Sequence, residues 1–303
     1  MENLFFKQNT MNYYKANESI MRGHSLDRMS YNYQNSKVIS ADRKTYSKSY
    51  KFIYNPTHPF KLVKFVHKGI IFNMIICPPG SLIIDGQEKT VDKYFMLGET
   101  KVTQELFDAI MGFNPSKFKG MKKPVDNVTW YDCLVFCNKL SVAFDLKPCY
   151  DITPKSYKSN GKTIENANYV LSGRDGGFRL PRETEWQIAA ASNESDDKFM
   201  LSNINNLMDE SWFVINSNGN RSPVAQKKPN SWGFYDMIGG TREWCIDKKD
   251  VGQRIQRGVP DTLSQESLKK DYGDISFLRK RSYEDEGFPA PATGFRIALS
   301  IEY

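Results

Sequence analysis

Histidine is scarce in this sequence. The 303-residue chain has three histidines, His24, His58 and His67, and none follows residue 67. No two of them have the three- or four-residue spacing that places two imidazoles on one metal ion. The shortage argues against a histidine metal centre and against catalysis by a histidine acid or base.

Cysteine is also sparse, with Cys77, Cys133, Cys137, Cys149 and Cys245 as the five examples. An odd number without a short-range framework is typical of a reduced compartment. Cys133 and Cys137 stand four residues apart on a predicted helix and could share a metal ion. Because both lie on its apolar face with no further ligand nearby in sequence, we interpret them as core residues. Cys245 receives the same interpretation.

Long hydrophobic runs are missing as well. The longest apolar stretch, Ile70–Cys77, is eight residues long and is interrupted by Asn73, whereas a membrane-spanning helix needs about 20 apolar residues. The start of the chain offers only the short run Leu4–Phe6, where a secretory signal needs about 7 to 15 apolar residues. We therefore expect no membrane span and a cytoplasmic location.

The chain carries a net charge of +7, and most of the excess lies in one segment. Residues 1–51 hold nine basic and four acidic side chains, a balance of +5, and the remaining 252 residues hold 33 and 31, a balance of +2. A basic arm can bind a phosphate backbone. This arm mixes its charges with Asn, Ser and Tyr, so a solvated arm, or one that docks on a protein partner, is favoured over a nucleic-acid binder.

Composition predicts a polar extension over residues 1–58 and a single domain over residues 59–303. Apolar runs predict strands at 62–66, 70–76 and 81–84, with a turn at Pro78–Gly80. Capping signals predict helices that begin at Thr103, Thr129 and Pro181, the first ending at Gly112. After about residue 192 short apolar pieces alternate with turn residues, and 294–300 is predicted as a closing strand. The fold class is therefore α+β, in one loop-rich domain.

Several motifs occur in order along this domain. They are Glu99–Gln104, Asn114–Phe118, Pro124–Asp132, Phe178–Trp186, Pro229–Met237, Gly239–Trp244 and Gly294–Arg296. Their ordered combination resembles the formylglycine-generating enzyme (sulfatase-modifying factor) family over roughly residues 66–300. The resemblance implies a C-type-lectin-like fold, in which paired terminal strands support a long, loop-rich ligand-binding face.

We assign a structural role to eight residues in these motifs. They are Trp130, Arg179, Glu183, Glu185, Trp186, Trp232, Glu243 and Trp244. Each tryptophan stands beside turn or cap residues, as expected where large apolar side chains pin loops. Arg179 could form a buried ion pair with Glu183 or Glu185, and Arg242 could pair with Glu243.

The sequence departs from the family's catalytic motifs. The oxidase members need two cysteines shortly after an Arg-Gly-Gly-Ser-Trp motif, to hold copper and react with a substrate thiol. Here Arg257–Asp261 reads Arg-Gly-Val-Pro-Asp, and no cysteine follows Cys245. Iron-dependent relatives use a His-rich helix motif, and no histidine follows His67. We therefore predict no catalytic residues of either kind and no redox cofactor.

Calcium is a further family trait, bound partly by side chains near a Gly-Asn-x-x-Glu-Trp segment. The glutamate is present as Glu243, but Gly240 stands in the place of the asparagine. Losing one oxygen donor from a sphere of six to eight ligands should weaken affinity. Glu243 is thus the single candidate calcium ligand, and calcium is disfavoured as a cofactor without being excluded.

The polar, aromatic-rich region 253–293 forms the binding face in this family, and some members are variable receptors diversified there by a retroelement. Tyrosine supplies contact area at low entropic cost, and short polar side chains supply hydrogen bonds. The candidate ligand-binding residues are Asp261, Gln265, Asp271, Tyr272, Asp274, Phe277, Arg279, Arg281, Tyr283 and Phe288. An ordinary solvated loop has the same composition.

Three functions remain open on the sequence. The first is a non-catalytic binding protein whose region 253–293 recognises a protein or peptide. The second is a divergent enzyme of the same family that uses Cys245 or carboxylates such as Asp247 and Glu243. The third is an assembly subunit or nucleic-acid binder that acts through the basic arm.

Overall fold

We describe the protein from a computed structural model of the full chain. The structure describes residues 49–53, 62–84, 86–171, 176–192, 208–217, 219–262 and 281–301. These described residues belong to one compact unit. No helix in the described part of the chain is long and apolar enough to cross a membrane.

Short strands dominate the domain. The strands are β1 Ser49–Ile53, β2 Leu62–His67, β3 Ile70–Cys77, β4 Gly80–Ile84, β5 Gln87–Val91, β6 Phe95–Gly98, β7 Tyr150–Tyr157, β8 Ile164–Leu171, β9 Phe178–Arg179, β10 Arg242–Lys248, β11 Gln253–Arg257, β12 Ser282–Asp285, β13 Thr293–Phe295 and β14 Ala298–Ser300. The helices are α1 Gln104–Met111, α2 Trp130–Ala143, α3 Glu183–Ala191 and α4 Val214–Ser217. The predicted α+β class is confirmed.

Two sheets organise these strands. The larger sheet has the order β1-β2-β3-β6-β14-β9, and the smaller has the order β12-β11-β10-β13. Within the smaller sheet, β10 pairs antiparallel with β11 and parallel with β13. Two further hairpins, β4-β5 and β7-β8, stand as separate two-stranded units. The three strands predicted near residues 62–84 are thereby confirmed.

The helix boundaries follow local capping chemistry. The Thr103 side chain accepts a hydrogen bond from the Leu106 backbone, and Gly112 ends α1 in the left-handed region at φ 78°. Thr129 and Asp132 form a reciprocal capping box at the start of α2. Both predicted threonines are the N-caps of their helices, whose first residues are Gln104 and Trp130. Helix α3 begins at Glu183, two residues later than the predicted start.

The predicted closing strand is two strands in two different sheets. Residues 293–295 pair with β10 in the smaller sheet, and residues 298–300 pair with β6 and β9 in the larger sheet. Arg296 lies between them, and its guanidinium donates to carbonyls at Gly98, Glu99 and Tyr235. A continuous apolar run cannot reveal such a change of sheet, because each half keeps the composition of a strand.

Strand β1 lies within the segment predicted as the polar extension. It pairs antiparallel with β2, from Ser49 opposite Val66 to Ile53 opposite Leu62. The sheet therefore begins before the predicted domain boundary at residue 59. An edge strand is held by the backbone hydrogen bonds of one neighbour, which its side-chain composition does not disclose.

Two apolar clusters lie on opposite sides of the larger sheet. Alternate residues of β3 belong to different clusters: Met74 packs with α1 and α2, and Ile75 packs with α3. This is the period of two expected for a strand buried on both faces. Cys133 and Cys137 are fully buried in the first cluster, so their interpretation as core residues is confirmed.

Candidate binding face and its buried supports

The smaller sheet carries the described part of the predicted binding face. Strands β11 and β12 are neighbours, with Ile255 opposite Tyr283, so both ends of the connection 258–281 lie side by side. Six predicted binding residues fall outside the described residues: Gln265, Asp271, Tyr272, Asp274, Phe277 and Arg279. The other four are Asp261, Arg281, Tyr283 and Phe288.

Asp261, at the start of this connection, points inward and is 6% exposed. Its Oδ1 accepts a hydrogen bond of 2.7 Å from Arg221, whose other terminal nitrogen donates to Asp126 at 2.8 Å. Arg221 also donates to the Gly240 carbonyl at 2.6 Å. The side chain therefore anchors the connection and is not available at the surface, which differs from its predicted role in ligand binding.

Asp261 should make stability depend on pH. Burial raises the pKa of its carboxyl group to about 6, with Arg221 opposing the shift and Asp126 adding to it. The unfolded value is about 3.9, so the folded state binds the proton more tightly between these two values. The stabilising contribution is complete below pH 4 and is lost as the pH rises through 6.

We expect a comparison with Asp261→Asn, which does not titrate, to isolate this effect. The unfolding free energy of the wild type minus that of the variant should fall by up to about 3 kcal/mol between pH 4 and pH 7. Urea unfolding at a series of pH values measures it. A difference that is flat or rises with pH contradicts the prediction.

Arg281, at the other end of the connection, is also anchored. Its Nε and Nη2 bind the Glu183 carboxylate at the start of α3, the latter at 3.0 Å. Arg257, the last residue of β11 and fully buried, has its Nε 3.5 Å from the same carboxylate. Asp247 accepts a 2.6 Å hydrogen bond from the Glu183 backbone. Glu183 thus joins α3, β11 and the start of β12, and Arg281 serves as a support.

Tyr283 and Phe288 are the described candidates that reach the surface. Their exposed fractions are 38% and 44%. The Lys249 ammonium lies 4.5 Å from the centre of the Tyr283 ring, a cation–π arrangement that orients the ring while leaving it accessible. The candidate face therefore has accessible aromatic side chains, Tyr283 and Phe288, whereas its charged residues Asp261 and Arg281 are held in ion pairs.

A buried polar cluster that sequence reasoning missed supports the same sheet. The Glu286 carboxylate accepts hydrogen bonds from Tyr131 and Tyr169, each at 2.7 Å, and from Arg254 at 2.8 Å. The Arg254 guanidinium also lies 3.9 Å from the centre of the Trp130 ring. These hydrogen bonds join α2, β8 and β11 to Glu286 across 32 to 155 residues of chain, so no local pattern could have shown them.

Glu243, on β10 of the smaller sheet, binds several buried side chains through its carboxylate. Its Oε2 accepts from Trp186 at 2.9 Å and from Arg296 at 3.0 Å, and its Oε1 binds Arg296 and Lys101. The predicted ion pair between Arg242 and Glu243 is wrong, because the cations that bind Glu243 are Lys101 and Arg296. Successive residues of a strand point to opposite faces, so the adjacent arginine is directed away from this carboxylate.

The other predicted structural residues lie in the interior. Arg179 binds Glu185 through two parallel hydrogen bonds of 2.7 and 2.6 Å, the bidentate geometry that guanidinium favours. The Trp130 and Trp244 indoles donate to backbone carbonyls on distant segments. Trp232 is 6% exposed and packs in the cluster around α3.

The residues around Glu243 do not fit a calcium ion. Both carboxylate oxygens already accept from cationic side chains, and the Gly240 carbonyl accepts from Arg221. A cation on these oxygens would face the positive charges of Lys101 and Arg296. Across the described ranges, no group of three or more His, Cys, Asp or Glu side chains is arranged to hold a metal ion.

All five cysteines are buried. Burial raises the pKa of the Cys245 thiol, and the nearby Asp247 and Glu183 carboxylates raise it further, although Arg257 opposes them. Burial likewise raises the pKa values of Cys77, Cys133 and Cys137. A nucleophilic cysteine needs the opposite environment, one that is exposed and lowers the pKa.

Solved structures share this architecture. Treponema denticola variable protein 1 superposes with a TM-score of 0.65 and 28% sequence identity, over 79% of this chain and 99% of that one. CarF superposes with a TM-score of 0.57 and 21% identity, over 76% of this chain and 98% of its own, which shows likeness of fold alone.

Sequence comparison finds a relative in Paenibacillus barcinonensis, the chaperone protein LppX, which is 36% identical over 171 residues. The match takes in 50% of this chain and spans about six-tenths (61%) of that relative's length. A model of the sulfatase-modifying factor enzyme 1-like domain family matches residues 59–301. With that match extending over most of the chain and the fold shared as well, the protein belongs to the sulfatase-modifying factor enzyme 1-like domain family.

Proposed function

We propose that this protein is a non-catalytic binding protein, in which region 253–293 recognises a protein or peptide partner. The observation that carries the proposal is the anchoring of both ends of the connection between β11 and β12. Asp261 is held by Arg221, and Arg281 is held by Glu183. A segment presented from fixed ends on a rigid sheet is the usual design of a recognition loop.

The exposed aromatic residues support a macromolecular partner. Tyr283 and Phe288 are accessible beside this connection, and tyrosine and phenylalanine are enriched where proteins bind one another. The connection itself contributes Tyr272 and Phe277 from its sequence. The names of two relatives, a variable protein and a chaperone protein, are consistent with binding to another protein.

The divergent-enzyme alternative finds little support at the residues it would use. Cys245 is buried with a raised pKa, Asp247 accepts from the α3 backbone, and Glu243 is held by two cations. The discriminating measurements are the copper, iron and calcium contents of purified protein and oxygen uptake with thiol peptides. Turnover of a thiol peptide would favour the enzyme over the binding protein.

We expect the aromatic residues of the face to carry the binding energy. Protein captured from source-cell lysate by the immobilised wild type should be identified and purified, and its affinity for each variant measured by titration calorimetry. Tyr272→Ala and Tyr283→Ala should each weaken binding by about tenfold or more. Because Tyr283 is 38% exposed, the melting temperature of Tyr283→Ala should stay within about 2 °C of the wild type.

Tyr157→Ala provides the matched control, because this tyrosine is 49% exposed on β7 and is not part of region 253–293. Deleting residues 1–48, which leaves β1 intact and removes eight of the nine basic side chains of residues 1–51, tests the basic arm. Binding that survives this deletion supports the face. Equal loss in all three tyrosine variants, or salt-sensitive binding that disappears with the arm, would refute the proposal.

A further inference from the structure

Lys101 is a lysine that is buried in the interior of the domain. It lies between β6 and α1, is 1% exposed, and its ammonium group binds Oε1 of Glu243, which is 0% exposed. Lysine is almost never fully buried without a partner. The two residues are 142 positions apart, so this contact joins the entrance of α1 directly to the central strand of the smaller sheet.

The charges around this ammonium are balanced. Lys101 and Arg296 are the cations, and Glu243 and the 4%-exposed Asp236 are the carboxylates that attract them. Although burial opposes ionisation, Arg296 and Lys101 hold the pKa of Glu243 below its ordinary value. Removing Lys101 would therefore leave a buried cluster with excess negative charge, which low-dielectric surroundings penalise strongly.

Gly240 lies beside the lysine side chain. A Cβ built on Gly240 would lie 3.8 Å from Cε of Lys101, and the glycine has φ 73°. The family resemblance places an asparagine calcium ligand at this position. Here the lysine stem passes over the bare glycine, and the Gly240 carbonyl accepts from Arg221 and from the Asp261 backbone.

We propose that the Lys101 ammonium is the resident cation of the 239–244 loop and takes the place of the divalent cation that the family implies. One protonated amine, lying beside Gly240, supplies the positive charge next to Glu243. The fold of this loop is consequently independent of calcium. This inference stands apart from the proposed binding function, because it concerns the loop's internal support.

The test is the melting temperature of the full-length protein in 1 mM EDTA and in 5 mM calcium chloride. The wild type should melt at the same temperature, within about 1 °C, in both buffers. Lys101→Met should melt about 10 °C lower than the wild type, because it leaves a buried carboxylate without one of its cations. Lys122→Met is the matched control, since Lys122 pairs with Glu105 while 65% exposed, and it should melt within about 2 °C of the wild type.

A second measurement covers the case in which Lys101→Met fails to fold. Isothermal titration of the wild type with calcium chloride should give no saturable heat of binding, because Lys101 and Arg296 already occupy the Glu243 carboxylate. Calcium-dependent melting of the wild type would overturn the proposal. So would a Lys101→Met protein as stable as Lys122→Met, or saturable calcium binding by the wild type.

Discussion

Replacing Arg296 by methionine should cost about 3 to 5 kcal/mol of unfolding free energy. The guanidinium is fully buried and makes five hydrogen bonds, two to Glu243 and three to backbone carbonyls at Gly98, Glu99 and Tyr235. Methionine fills similar volume but donates none of these hydrogen bonds, and it leaves the buried Glu243 carboxylate with one cation, Lys101, in place of two. Since a domain of this kind has about 5–15 kcal/mol in total, much of its stability should be lost.

Urea unfolding followed by tryptophan fluorescence measures this loss. Arg182→Met is the control, because its side chain is 50% exposed and lies 3.3 Å from Glu185. An exposed pair of this kind contributes about 1 kcal/mol or less. If Arg296→Met were as stable as Arg182→Met, the guanidinium could not be what holds the junction of the two sheets.

Adding one methyl group at Gly294 should also destabilise the protein strongly. Gly294 lies in β13 opposite Glu243, and a Cβ there would stand 2.1 Å from the carbonyl oxygen of Val125. That carbonyl cannot easily retreat, because the Val125 backbone is itself bonded to Val102 at 2.9 Å. We expect Gly294→Ala to lower the unfolding free energy by about 3 kcal/mol, the upper range for overpacking.

Gly176→Ala separates the steric effect from the general cost of changing a glycine. The nearest atom to a Cβ at Gly176 is 3.8 Å away, on Lys147, which is ordinary contact. Its stability should stay within about 1 kcal/mol of the wild type. Similar losses in both variants would show that close approach to Val125 is not the cause.

The local elements of this fold were open to prediction because their signals are short. The capping box of Thr129 and Asp132 spans four residues, and the stop at Gly112 is a single residue with a left-handed backbone. The apolar runs of β2 and β3 needed only their period. The family could also be identified from the sequence, because its motifs keep their order along the chain.

The directions in which the charged side chains of the candidate face point could not be predicted from the sequence. Asp261 and Arg281 have the composition of a recognition loop, but the structure pairs them with Arg221 and Glu183, 40 and 98 residues away. Sequence neighbours were a poor guide to ion pairing. Glu243 binds Lys101 and Arg296 from distant segments, because a strand turns the adjacent arginine to its other face.

The amino-acid sequence by itself determined the α+β class, the helix caps, the buried apolar strands and the family, since each depends on residues a few positions apart or on their order. Only the tertiary structure decided which charges are supports and which residues meet solvent. It also divided the final apolar run between two sheets at Arg296. The physical reason is that a buried charge takes its partner from whichever segment the packing brings within hydrogen-bonding distance, and that choice leaves no periodicity in the chain.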